Sequence, residues 1–167
     1  MGLDMHLYSA PKIEGMELDE IIKANNQLSI LENEDRETYL KVKDHIKQFE
    51  KFGHKWESLL TQQIYWRKAN HIHYWFVENV QGGEDQNLAL SPVEKEQLTK
   101  LYLLCESILE HNESPDETLP TMPGPFFGSL AYDEFYFHET ERTYHELKRI
   151  LLTSFLDENY VMYQSFW

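Results

Sequence analysis

The sequence predicts an α+β fold, mainly α, with about four helices packed on a small antiparallel sheet formed by the N- and C-terminal strands. Three observations predict it. Residues 3–8 alternate apolar and polar, the two-residue period of a half-buried strand, and residues 160–167 are dense in aromatics with a β-branched Val161, which also suits a strand. The interior repeats apolar residues at three- and four-residue steps, the period of a helix face. The chain has 167 residues, 41% hydrophobic and 14% aromatic, which favours a single domain over residues 1–167 with ample material for one core.

The first strand is expected over Leu3–Tyr8, with Leu3, Met5 and Leu7 on one side, and Pro11 and Gly15 interrupt it. Residues 17–32 are weakly periodic and read as a loop or a poor helix. From Glu34 the pattern sharpens: Tyr39, Val42, Ile46 and Phe49 make one helix face, with Asn33 as the cap and Gly53 as the stop. Residues 56–64 are ambiguous. A helix is expected from Tyr65 to Val80, with Tyr65, Ala69, Ile72, Phe76 and Val80 on one face, ended by Gly82 and Gly83. Residues 88–90 are short enough for a third strand.

Ser91-Pro92-Val93-Glu94 carries helix-start chemistry: a capping hydroxyl, a proline at the first helical position and a glutamate that can reach back to the cap. Leu98, Leu101, Tyr102, Cys105, Ile108 and Leu109 form the stripe of the helix that follows. Residues 112–125 hold Pro115, Pro120, Pro123 and Pro125 and read as a loop. A last helix is expected from Tyr132-Asp133, buried through Phe137, Tyr144, Leu147, Leu151 and Phe155. Residues 160–167 close the chain as an aromatic strand, expected to pair with the first because either alone exposes an open edge.

Lys and Arg number 15 against 29 Asp and Glu, a net charge of −14. Uncompensated carboxylates repel a phosphate backbone, so direct nucleic-acid binding is not expected. The same charge suits a basic protein partner, or serves as a solubilising surface with no partner. Cys105 stands alone, which excludes an intrachain disulfide and a C-x-x-C knuckle and fits a reducing compartment. The first residues lack a basic region followed by an apolar one, so no signal peptide is expected. No apolar run reaches the roughly 20 residues of a membrane helix. A cytoplasmic protein with no membrane association, metal or cofactor is therefore expected.

Three segments hold candidate chemistry. The first, Tyr65 to Phe76, gathers two cations, an amide, two imidazoles and five aromatic rings. Read as helix, it aligns Trp66, Asn70 and His73 on one side and Arg67 and His71 on another. An arginine beside imidazole and aromatic faces can hold an anionic or planar ligand. The simpler reading is a polar core with its donors and acceptors satisfied internally. His71 and His73, two apart on a helix, point about 200° apart and cannot share a metal.

The second segment places His138, Glu141 and His145 on one helix face. It lacks the Glu-x-x-His spacing of paired di-metal sites, and Arg149 stands where H-E-x-x-H needs its second His, so ion pairs on a solvated face are the better reading. The third is Phe126-Phe127-Gly128-Ser129 followed by Tyr132-Asp133-Glu134-x-Tyr136. A helix start there offers free amides to an anion, but Asp133 and Glu134 already occupy the positive end of the dipole. No G-x-S-x-G elbow, Walker loop or G-x-G-x-x-G occurs.

Together, Gly2-Leu3-Asp4-Met5, Tyr65-Trp66-Arg67-Lys68-Ala69-Asn70 with His73-x-Trp75-Phe76-Val77, and Phe126-Phe127-Gly128 with Tyr132-Asp133-Glu134-x-Tyr136 resemble a family of small, largely uncharacterised bacteriophage and prophage proteins. The resemblance runs from the start to about residue 150 and implies a bacterial cytoplasmic setting without an established activity. The stretch from about 11 to 56 looks longer than in similar proteins, which marks it as a helical insertion. The resemblance also raises the expectation that the three blocks meet in space, placing Trp66, Arg67, Asn70 and His73 near Tyr132, Asp133 and Tyr136. The function expected is a non-enzymatic interaction protein binding a host or phage protein. The alternatives are a small-molecule binder or small enzyme built on Arg67, His73 and Asp133, and a structural component of a phage particle.

Overall fold

The two expected end strands become the centre of the sheet in the computed structural model, which describes residues 2–27, 31–50 and 58–167, with the main chain alone at 32 and 46–50. In chain order the elements are β1 (Asp4–Pro11), α1 (Leu18–Asn26), α2 (Leu31–Glu34), α3 (Arg36–Glu50), β2 (Thr61–Arg67), α4 (Asn70–Asn79), β3 (Ser91–Pro92), α5 (Lys95–His111), α6 (Pro115–Thr118), α7 (Glu134–Leu151), α8 (Phe155–Glu158) and β4 (Asn159–Phe166). The class is α+β, with more helices than the four expected. The sheet order is β2-β1-β4-β3 and every pairing is antiparallel. β1 and β4 pair along their whole length, from Asp4 opposite Phe166 to Pro11 opposite Asn159.

The two faces of the sheet meet two apolar clusters, because successive side chains of a strand point to opposite sides. Leu3, Met5, Leu7, Ile64, Trp66, Val161 and Tyr163 pack with Ile72 and Phe76 of α4, Leu98, Leu101 and Cys105 of α5, and Leu147 and Ile150 of α7. On the other face, Ala10 and Met162 pack with Ile21 and Ala24 of α1 and Val42 of α3. The rest of that face, around His6, Tyr65 and Phe166, stays half-buried or exposed.

Several expectations need correction. Tyr65, Trp66 and Arg67 are strand, not helix. Ile64 and Trp66 lie buried opposite Leu7 and Met5, and this pairing outweighs the local helical spacing. Lys68, at φ 59°, breaks the strand, and the helix starts only at Asn70. The third strand is Ser91–Pro92 rather than 88–90, so Ser91 does not cap α5. Ser91 pairs with Tyr163 and its hydroxyl accepts from the Gln81 amide at 3.1 Å. Pro92 suits this edge position because it has no amide to donate. Glu94 caps α5 instead, its amide donating to Gln97 Oε1 at 2.8 Å.

Asn33 lies within α2, and Asp35 caps α3 by accepting from the Thr38 amide at 3.1 Å. The weakly periodic stretch after residue 17 forms α1, started by a reciprocal box between Glu17 and Glu20. On α7 the buried face runs through Tyr136, Thr140, Thr143, Tyr144, Leu147 and Ile150, while Phe137 is exposed. The 112–125 loop contains one helical turn, α6. The stop expected at Gly53 and the strip at 56–57 lie outside the described residues.

Candidate functional site

Four polar side chains of the 65–77 segment, Trp66, Asn70, His71 and His73, turn into the protein. Lys68 closes β2 by donating its amide to Leu3 O at 2.8 Å, and its left-handed backbone swings Asn70, His71 and His73 inward on the first turn of α4. All three are buried. Gly128, at φ 99°, lies against Lys68: a Cβ there would stand 3.2 Å from the Lys68 carbonyl oxygen. A Cβ on Gly2 would stand 3.5 Å from the Lys68 side chain and 3.8 Å from Phe126 O. The N-terminal, 65–77 and 126–129 blocks thus converge at one junction.

Asn70 fastens that junction. Its Nδ2 donates to Ser129 O at 2.8 Å and Phe127 O at 3.2 Å, and its Oδ1 accepts from the Met122 amide at 3.2 Å. Trp66 Nε1 donates to Thr143 Oγ1 at 2.8 Å, tying β2 to α7. Tyr136, fully inside, donates its hydroxyl to Leu119 O at 2.9 Å and lies 4.1 Å from the His71 ring. Tyr132 packs edge-on to Tyr136. Asp133 caps α7, accepting from the Tyr136 amide at 3.2 Å.

Both histidines are neutral donors. Thr140 spends its hydroxyl proton on Tyr136 O at 2.9 Å, so its oxygen accepts from His71 Nε2 at 3.2 Å. Burial pushes the His71 pKa down to about 3, since a charged ring there would lose its hydration. His73 donates from Nε2 to Asp85 Oδ2 at 3.0 Å, which leaves Nδ1 to accept from the Tyr163 hydroxyl at 2.8 Å. Burial lowers the pKa of His73, and the Asp85 carboxylate partly offsets it. Burial raises the phenols of Tyr136 and Tyr163 and the thiol of Cys105.

Arg67 does not join the cluster. It is exposed on the opposite face of the sheet, beside Tyr65 and across from Asp4, and no hydrogen bond or ion pair links it to Asp133 among the described residues. The carboxylate of His73 is Asp85. Asp85, Tyr163, Thr140 and Thr143 complete the cluster, and sequence reasoning missed all four. They lie far from their partners in the chain or in a glycine-rich turn, and no local spacing marks them.

Beside His71 a cleft of about 330 Å³ opens between α4, α5 and α6, lined by His71, Tyr74, Trp75, Glu78, Lys100 and Leu119. On α7, His138 and His145 are exposed beside Glu139 and Glu141. Among the described residues no group of three or more His, Cys, Asp and Glu is placed to hold a metal. No helix among them is long and apolar enough to cross a membrane.

The surface carries the other unusual feature. Phe126, Leu130, Tyr132 and Phe135 expose 66%, 49%, 36% and 44% of their area within one short stretch. Phe126 holds φ at 64°, a left-handed value that a bulky side chain rarely adopts. Its neighbour Phe127 is buried, 5.8 Å from the Trp167 ring. Asp133 and Glu134, both exposed, border the stretch. Set beside protein-family models, curated proteins and solved structures, the chain finds no match.

Proposed function

We propose that this chain is a non-enzymatic interaction protein of a phage or prophage, acting in the bacterial cytoplasm and binding a host or phage protein. The observation that carries the reading is the exposed aromatic stretch 126–135 with its acidic border. Exposed aromatics bordered by charge are the usual material of interface hot spots, since they bury much area at little entropic cost. A net charge of −14 favours a basic partner and gives the association a salt dependence. The buried polar groups of Trp66, Asn70, His71 and His73 support the same reading from the other side: their hydrogen bonds are spent on the protein's own backbone and side chains.

Paired pull-downs from bacterial lysate test it, with the wild type beside a Phe126→Ser/Phe135→Ser variant. A protein retained by the wild type at low salt and lost by the folded variant is expected. Equal retention by both, or no retained protein, contradicts the reading.

The cleft beside His71 favours a second reading, a small-molecule binder. Its ligand would meet Lys100 and Glu78 rather than Arg67 and Asp133. Thermal shift against a nucleotide and metabolite panel decides it, because a specific ligand raises the melting point by mass action.

A further inference from the structure

The geometry points to the outer edge of β2 as a docking site for an extended acidic segment of another protein, added to the sheet as a fifth strand. The bond from the Lys68 amide to Leu3 O fixes the ladder. In an antiparallel pair, bonded and non-bonded positions alternate. With Met5 opposite Trp66 and Asp4 opposite Arg67, the bonded pairs are Leu3 with Lys68 and Met5 with Trp66. Tyr65 and Arg67 therefore turn their amides and carbonyls away from β1. Among the described residues β2 is the last strand of the sheet and no hydrogen bond reaches those four groups. They recur about 6.8 Å apart, two residues of strand rise, which is the repeat an incoming strand presents. Main-chain bonds of this kind supply the affinity when a peptide augments a sheet.

Charge selects the occupant. Acidic residues outnumber basic ones 29 to 15 over the chain, yet this edge reverses the balance. Arg67 and Lys68 are exposed at its end, and Arg149 reaches its middle, donating to Gln63 Oε1 at 3.4 Å. The carboxylates beside them are Asp4, which accepts from the Tyr65 hydroxyl, and Glu146, paired with Arg149 at 3.1 Å. Among the described residues, these three cations against two carboxylates favour acidic side chains on an added strand. A second copy is disfavoured, because it would bring another charge of −14 to the interface. A nucleic acid offers the right sign but no amide ladder for the outward-facing groups of Tyr65 and Arg67. Lys68 lies against Gly128, so this edge adjoins the 126–135 stretch, and Arg67→Glu on the edge beside Phe126→Ser/Phe135→Ser on the stretch tells the two proposals apart.

The test uses the whole chain and a blocked heptapeptide alternating glutamate and valine as the probe, in low salt. Titration followed by amide hydrogen exchange should show saturable binding, with the Tyr65 and Arg67 amides protected at least about tenfold. Methylating alternate peptide nitrogens on the bonding edge should abolish the protection, and so should Arg67→Glu, an exposed change expected to leave the circular dichroism unaltered. A lysine–valine peptide binding equally well overturns the charge argument. Protection without peptide in a dimer shows self-pairing and overturns the proposal, as does tighter binding of a single-stranded decathymidylate. Absence of binding also overturns it.

Discussion

Replacing His71 with glutamine should flatten the acid side of the stability profile by about 2 kcal/mol between pH 7 and pH 5. The magnitude follows from where the ring sits. His71 is buried between α4 and α7, and its folded pKa of about 3 lies far below the ordinary value of 6.5. The folded-state pKa is depressed, so the unfolded chain binds the proton first. The stability is complete above pH 6.5 and is lost as pH falls from there toward 3. At pH 5 the unfolded imidazole is almost fully protonated and the folded one is not, a difference of about 2 kcal/mol at 1.36 kcal/mol per pH unit. Glutamine keeps a donor for Thr140 and does not titrate. Carboxylate repulsion also changes over this range, but equally in both proteins, so the difference between them isolates the histidine. Urea unfolding at the two pH values measures it. Between pH 7 and pH 5 the wild type should lose roughly 4–8 °C more in melting temperature than the variant, for a chain of this size. Parallel pH profiles, or an NMR titration of His71 near 6.5, would refute the reasoning.

Asn70→Ala removes three hydrogen bonds that hold the 122–129 loop and leaves the Phe127, Ser129 and Met122 backbone groups unpaired. It should cost about 3 kcal/mol in urea unfolding and raise amide exchange locally at Met122. Tyr163→Phe keeps the ring stacked 4.0 Å from Phe76 but leaves His73 Nδ1 without its donor. A cost of about 1–2 kcal/mol is expected, with the His73 imidazole resonances displaced by NMR.

What the sequence displays depends on whether a residue's partner is near it in the chain. The end strands are legible because two-residue alternation in Leu3, Met5 and Leu7 is a local pattern, and their pairing follows from the edge each would otherwise leave open. The stripe of α5 is legible for the same reason. β2 is not, because Tyr65, Ala69, Ile72 and Phe76 happen to share a helical spacing. Only contact with Met5 and Leu7 decides that Ile64 and Trp66 are strand. Ser91-Pro92 shows the same conflict: its local chemistry is that of a helix start, and pairing with Tyr163 and Met162 overrides it. The candidate segment was visible as an unusual density of polar and aromatic residues. Its partners were not, since Asp85, Thr140, Thr143 and Tyr163 reach it through the tertiary fold.

Site-specific photocrosslinking in a bacterial host tests the central claim, that the 126–135 surface receives a protein partner. A benzophenone side chain placed at Phe135, 44% exposed, is compared with one at Leu103, 52% exposed on α5. A discrete heavier adduct is expected from position 135 and none from 103. No adduct at 135, or the same adducts at both positions, would contradict the claim.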